Sequence, residues 1–136
     1  TFLDHTADVG IVARGSSWDE LFRNAALGLF SLIADTRALQ RREEVAIDVT
    51  ADDRDALLVC FLNEILFQYE TKSVVFCDCL IFTITGTRVV ALCKGEKRTA
   101  SHYIQREVKA ATYHQLKIQK NKQKNKMYEA RIIFDV

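Results

Sequence analysis

VGIVARGSSWDELFRNAALGLFSLIAD, residues Val9–Asp35, changes its hydrophobic period partway along. Up to Arg14 the apolar residues alternate, with Val9, Ile11 and Ala13 on one face, as on a half-buried strand. Gly15 and Ser16 stop that pattern. Ser17 with Glu20 three residues on forms a capping box, and Trp18, Leu21, Phe22, Ala25, Leu29, Leu32 and Ile33 then recur at helical spacing. The stretch therefore reads as a short strand followed by a helix that ends near Asp35.

Further along, Val45, Ile47 and Val49 alternate with polar residues as in a strand. Asp52 or Asp53 then caps a second helix carrying Leu57, Leu58, Phe61, Leu62, Ile65 and Leu66, which ends near Lys72. The runs from Val74 to Thr85 and from Val89 to Lys97 flank Thr85-Gly86-Thr87 and read as a hairpin. Ile104, Val108 and Ala111 recur at i, i+4 and i+7, which predicts a short third helix. Leu116 and Ile118 open another strand. Met127–Val136 is the last, with Ala130, Ile132, Phe134 and Val136 on one face. The expected fold is α+β: a single domain over residues 1–136, with two main helices and a short third one packed on a mainly antiparallel sheet.

With 49% hydrophobic and 27% charged residues, the 136-residue chain has globular composition and room for one core. Proline is absent, which excludes collagen-like and Pro-rich linker readings. The net charge of +1 gives no global attraction for nucleic acid or an anionic membrane, so any such attraction is local. The longest apolar runs, Ala25–Ala34 and Ala56–Phe67, fall short of the ~20 residues of a membrane span, and no signal peptide is visible. Cys60, Cys77, Cys79 and Cys93 read as reduced thiols of a cytoplasmic protein without a membrane partner.

Asp4-His5-Thr6-Ala7-Asp8 places two carboxylates and an imidazole just before the first strand, and Asp135 stands at the end of the last. If those strands pair antiparallel, Asp8 and Asp135 converge, on the opposite parity from their apolar neighbours. With main-chain or terminal oxygen of Val136 they form an oxygen-rich cluster suited to a hard divalent cation such as Ca²⁺ rather than Zn²⁺. The alternative is that both acids simply cap solvated strand ends.

Cys77 and Cys79 share a strand face near Cys93, but no fourth zinc ligand accompanies them. Lys109, in Glu107-Val108-Lys109-Ala110-Ala111-Thr112-Tyr113-His114, belongs either to a solvated helix face or to a site. Lys117, Lys120, Lys122, Lys124 and Lys126 track phosphates or form a lysine-rich loop. No Gly-rich phosphate loop, HExxH or GxSxG pattern is present.

Three segments together resemble the archease family: Asp4-His5-Thr6-Ala7-Asp8-Val9-Gly10, the stretch Glu107–His114, and Ile132-Ile133-Phe134-Asp135-Val136. Ser17-Trp18-Asp19-Glu20-Leu21-Phe22 and Leu62-Asn63-Glu64-Ile65-Leu66 are similar to the family's two helices. The resemblance implies a protein without catalysis of its own that activates an RtcB-type RNA ligase of tRNA splicing and RNA repair. Such a ligase joins a 2′,3′-cyclic phosphate or 3′-phosphate end to a 5′-hydroxyl through a guanylylated histidine and Mn²⁺. The activator promotes guanylylation and repeated turnover, and it meets tRNA or other broken RNA only through the ligase. The resemblance further implies a Ca²⁺-type metal at Asp8, Asp135 and Val136, and activation through Lys109, with His5, Asp35, Glu64 and Thr112 as accessory positions. The rival readings are a stand-alone RNA-binding or chaperone-like module and, behind it, a metal-dependent phosphohydrolase.

Overall fold

The computed structural model describes residues 8–112, 118–121 and 127–136. Strand β1 (Asp8–Gly15) leads into helix α1 (Trp18–Ile33), followed by one 3-10 turn at Thr36–Ala38 and strand β2 (Glu43–Thr50). Helix α2 (Arg54–Lys72) precedes the hairpin β3 (Val74–Ile84) and β4 (Arg88–Lys97). Three strands close the order: β5 (Ala110–Thr112), β6 (Ile118–Asn121) and β7 (Met127–Asp135). None of the helices is long and apolar enough to cross a membrane, among the described residues.

The helix starts follow the local chemistry. The Ser17 hydroxyl accepts from the Glu20 amide, and the Glu20 carboxylate accepts from the Ser16 amide at 3.0 Å. Asp53 caps α2 by accepting from the Ala56 amide at 2.8 Å. Helix α2 ends at Ser73, which takes the left-handed conformation (φ 53°) that more often falls to glycine. In the β3–β4 turn the Thr85 hydroxyl accepts from the amides of Thr87 and Arg88, so a side chain closes the hairpin.

Two antiparallel sheets form where the sequence reading expects one. β1 and β5 pair with opposite edges of β7, with β6 also on β7, while β4 lies between β2 and β3. Both helices touch strands of both sheets and so lie between them. That position explains α2, which buries Leu57, Leu58, Val59, Phe61, Leu62, Ile65, Leu66 and Tyr69 around most of its circumference. Phe22 of α1 packs on Phe61 of α2, and Phe30 on Phe76 of β3. Helix α1 runs back along β1: a Cβ on Gly15 would meet Glu20, and one on Gly28 would meet Ile11. The C-terminal end of α1 therefore lies at the Asp8 end of β1.

The predicted third helix does not form. Residues 103–109 run without regular structure and lead into β5. Their backbone groups serve neighbouring elements instead of an i to i−4 ladder. The Gln105 amide donates to Ile33 O at 2.8 Å, capping α1, and the Lys109 amide donates to Asp135 O at 2.8 Å. Val108 and Ala111 are still buried, so the helical spacing recorded burial without a helix.

Strand β3 also departs from simple alternation, with register shifts between Phe76 and Asp78 and between Ile81 and Thr83. The first bulge separates two cysteines expected on one face. Cys77 Sγ turns to Gln40 O at 3.9 Å, while Cys79 sits directly opposite Cys93 in the core. On the far side of the bulge the buried Asp78 carboxylate accepts from Arg23, Arg41 and the Cys79 amide, at 3.0, 3.0 and 2.8 Å.

Candidate functional site

Strand β7 carries Ala130, Ile132 and Phe134 into the core, so Ile133 and Asp135 fall on the outer face. Strand β1 has the same alternation, and the register sets Val9 against Phe134, Ile11 against Ile132 and Asp8 against Asp135. Residues directly opposite in antiparallel strands project to the same side. The two carboxylates therefore share the outer face, Asp8 exposed and Asp135 half-buried. On the other edge of β7, Asp135 pairs with Ala110 of β5. Asp135 is thus the midpoint of a three-strand row reaching from Asp8 to Ala110.

Lys109 enters this row through its main chain. Its amide donates to the Asp135 carbonyl, which fixes the root of the lysine one residue from Ala110, while the side chain is exposed. The segment that delivers it is pinned twice more. The Arg98 guanidinium donates to Glu107 at 3.1 Å and to the Tyr69 hydroxyl at 3.1 Å. Beyond Lys109, Asn63 of α2 donates from Nδ2 to Ala111 O at 3.1 Å and accepts at Oδ1 from the Ala111 amide at 2.7 Å. One side-chain amide supplies both bonds that a neighbouring strand would supply, and it ends the free edge of β5.

The other expected residues divide. Thr112 Oγ1 donates to Ile133 O at 3.1 Å, one step along the same outer row. Glu64 follows Asn63 on α2 and accepts from Gln68 at 2.7 Å. Asp35 lies at the Asp8 end of the molecule, but its carboxylate holds Arg37 by two bonds of 2.9 and 2.8 Å and accepts the Arg37 amide as well. Those bonds lower its pKa to about 2. Val136 is half-buried beside Asp135. His5, together with Lys117, Lys122, Lys124 and Lys126, lies outside the described residues. Lys120 is described, and its Nζ lies 5.6 Å from the Tyr128 ring centroid.

The donor set at Asp8 and Asp135 is entirely oxygen, which suits a hard cation and offers no nitrogen or sulfur to zinc. Two carboxylates supply at most four oxygens of the six to eight that Ca²⁺ takes. Among the described residues no group of three or more His, Cys, Asp or Glu comes together. The pair alone therefore supplies fewer oxygens than such an ion takes. Asn63 is the member that sequence reasoning did not single out. Its signal is a neutral amide at the edge of the apolar band of α2, where burial requires a partner for both ends of the amide.

The family model of the Archease protein family (MTH1598/TM1083) matches residues 1–136. The protein archease of Methanosarcina mazei is 37% identical over 124 residues, covering 88% of this chain and 85% of its own. That of Methanothermobacter thermautotrophicus is 33% identical over 138 residues, covering 99% and 96%. Among solved structures, the solution structure of Methanobacterium thermoautotrophicum protein 1598 superposes with a TM-score of 0.79 at 33% identity, over 98% of this chain and 96% of that one. A Thermotoga maritima crystal structure, described as an archease and possible chaperone, gives a TM-score of 0.70 over 100% and 96% of the two chains; at 19% identity it shows the fold alone. The sandwich of two helices between two antiparallel sheets, the three sequence segments and the whole-length match agree: this chain belongs to the archease family.

Proposed function

We propose that this archease is a non-catalytic activator of an RtcB-type RNA ligase, acting in the cytoplasm in tRNA splicing and RNA repair. The observation that carries the reading is the meeting of Asp8, Asp135 and the root of Lys109 at one end of β7, built from three distant parts of the chain. Asp8 and Asp135 would hold a divalent cation, Ca²⁺ by ligand type, with a main-chain oxygen of Val136 as a further donor. When bound, such an ion supplies a fixed positive charge where a partner's phosphate or nucleotide is handled. Lys109 brings a second, mobile positive charge to the same end, suited to a triphosphate or an acidic residue of the ligase. Asn63 and Arg98 hold the backbone from which it projects.

An activator accelerates only through contacts that differ between the partner's ground and transition states. Lys109→Ala should therefore slow guanylate loading of the cognate ligase more than it weakens binding, and Asp8→Ala should do the same. Losing one charge-assisted contact corresponds to about tenfold to a hundredfold in rate. The test is transfer of labelled GTP to the ligase at saturating activator. Equal loading with wild type, both variants and no activator sinks the reading. Nucleotide hydrolysis by the chain alone points to the phosphohydrolase, and salt-sensitive RNA binding without the ligase points to the RNA module.

A further inference from the structure

Helix α2 leaves one face at the surface, and the residue at its centre is an aromatic ring. Phe67 is 57% exposed although Leu66 and Tyr69 beside it are 4% and 2% exposed. It stands between two hollows of about 510 and 520 Å³ that share only Asn63 and Phe67. Asn63, Phe67 and Glu70 follow at i, i+4 and i+7 along one hollow, and Cys60, Glu64 and Phe67 at the same spacing along the other. Val108, Lys109 and Ala110 form the far wall of the first hollow, and Val49 and Thr50 that of the second. Through Ala110, the Cα partner of Asp135, the first hollow is continuous with the candidate site.

The charges along this surface select the occupant. Glu64, Glu70 and Glu107 line the hollows against one cation, Lys109. Glu107 is paired with Arg98 and Glu64 with the Gln68 amide, while Glu70 has no ion-pair partner among the described residues. Carboxylates repel a phosphate backbone, so nucleic acid is the wrong chemistry here. An exposed aromatic between two apolar hollows, rimmed by acids, matches an apolar polypeptide surface with basic flanks.

We infer that the Phe67 face of α2 is the docking surface for the ligase: a segment of that protein straddles Phe67, seats one apolar side chain in each hollow and sets a Lys or Arg against Glu70. This rests on the ligase-activator reading and separates two tasks within it. Phe67 and Glu70 supply affinity, whereas Lys109 and the carboxylate pair supply rate.

The experiment measures ligase binding by the whole chain, and guanylate loading at saturating activator, for wild type, Phe67→Asp, Phe67→Tyr, Glu70→Lys and Lys109→Ala. Phe67→Asp should weaken binding about thirtyfold or more, as for a hot-spot residue, with the saturating rate within about twofold of wild type. Phe67→Tyr should restore binding, which separates a lost contact from a damaged fold, and Glu70→Lys should weaken it. Lys109→Ala, whose side chain also lines the first hollow, should lower the saturating rate by more than it weakens affinity. Wild-type affinity in folded Phe67→Asp, alongside normal acceleration by wild type, overturns the docking surface and leaves the activator reading standing. Absence of any acceleration by wild type removes both. RNA binding by the isolated chain that Phe67→Asp abolishes overturns the assignment in favour of a nucleic-acid partner.

Discussion

Replacing Asn63 by alanine tests the part of the site that holds Lys109 in place. Ala111 is 5% exposed, and its amide and carbonyl both end on the Asn63 side chain. The variant removes two hydrogen bonds at a net of about 1 kcal/mol each, and water reaches the vacated groups poorly, so the expected loss is about 2–3 kcal/mol. For a chain of this size that corresponds to a fall in Tm of roughly 6–12 °C. Asn63→Asp makes the sharper comparison. It keeps an acceptor for the Ala111 amide but turns a carboxylate oxygen toward the Ala111 carbonyl, so it should be no better than alanine. Denaturant unfolding gives the stability of each variant, and hydrogen exchange at Ala111 reports the local tether, which should loosen more than amides in β4. Unchanged Ala111 exchange with a stability loss under about 0.5 kcal/mol would refute the claim that this amide serves as the strand partner of β5.

Gly95→Ala should cost about 3 kcal/mol, read by denaturant titration, because its Cβ would lie 2.7 Å from Phe76 Cα and against the Val75 carbonyl at the β3 bulge. Burial raises the Asp78 pKa, but the bonds from the Cys79 amide, Arg41 and Arg23 prevail and hold it below the ordinary value. Its contribution is then complete at pH 5 and above and is lost as pH falls below about 4 through the depressed value. Asp78→Asn should be less stable than wild type at pH 7, with the gap narrowing on acidification to pH 2–3; a gap independent of pH counts against the ion cluster. Cys93 is shifted well above the ordinary thiol value, first by its hydrogen bond with Cys79 and then by burial. Native thiol titration should therefore leave Cys79 and Cys93 unmodified until denaturant is added, and rapid labelling of four thiols in the native protein would contradict that packing.

The convergence of Asp8 and Asp135 was legible because both strands alternate cleanly: Val9, Ile11 and Ala13 fix the parity of one, and Ala130, Ile132 and Phe134 that of the other. The helices were legible for a similar reason, since Ser17 and Asp53 cap them and their apolar periods are long. Strand β5 was not. Three residues carry too little pattern, and the groups that make Ala110–Thr112 a strand belong to β7 and to Asn63, far away in sequence. The split into two sheets was hidden likewise, because an apolar stripe says that a helix is covered without saying from how many sides. The bulge at Cys77 depends on Gly95 opposite it, a cross-strand fit that no local rule records. Glu64 and Asp35 came from family likeness; the fold engages them with Gln68 and Arg37, and no local pattern distinguishes those bonds from ordinary surface pairing.

The row from Asp8 through Asp135 to Ala110 also governs when the site comes into being. Of the described elements, the ribosome releases the strand bearing Asp8 first and the strand bearing Asp135 last. Until β7 docks, Asp8 has no opposite residue, β5 has no strand to pair with and the Lys109 amide has no carbonyl to meet. Closing so long a loop is a late step, because its entropy is lost before any long-range contact forms. Nascent and partly unfolded molecules consequently present neither the carboxylate pair nor a fixed lysine. On the proposed activator reading, a partner that engages this row meets it only on completely folded molecules.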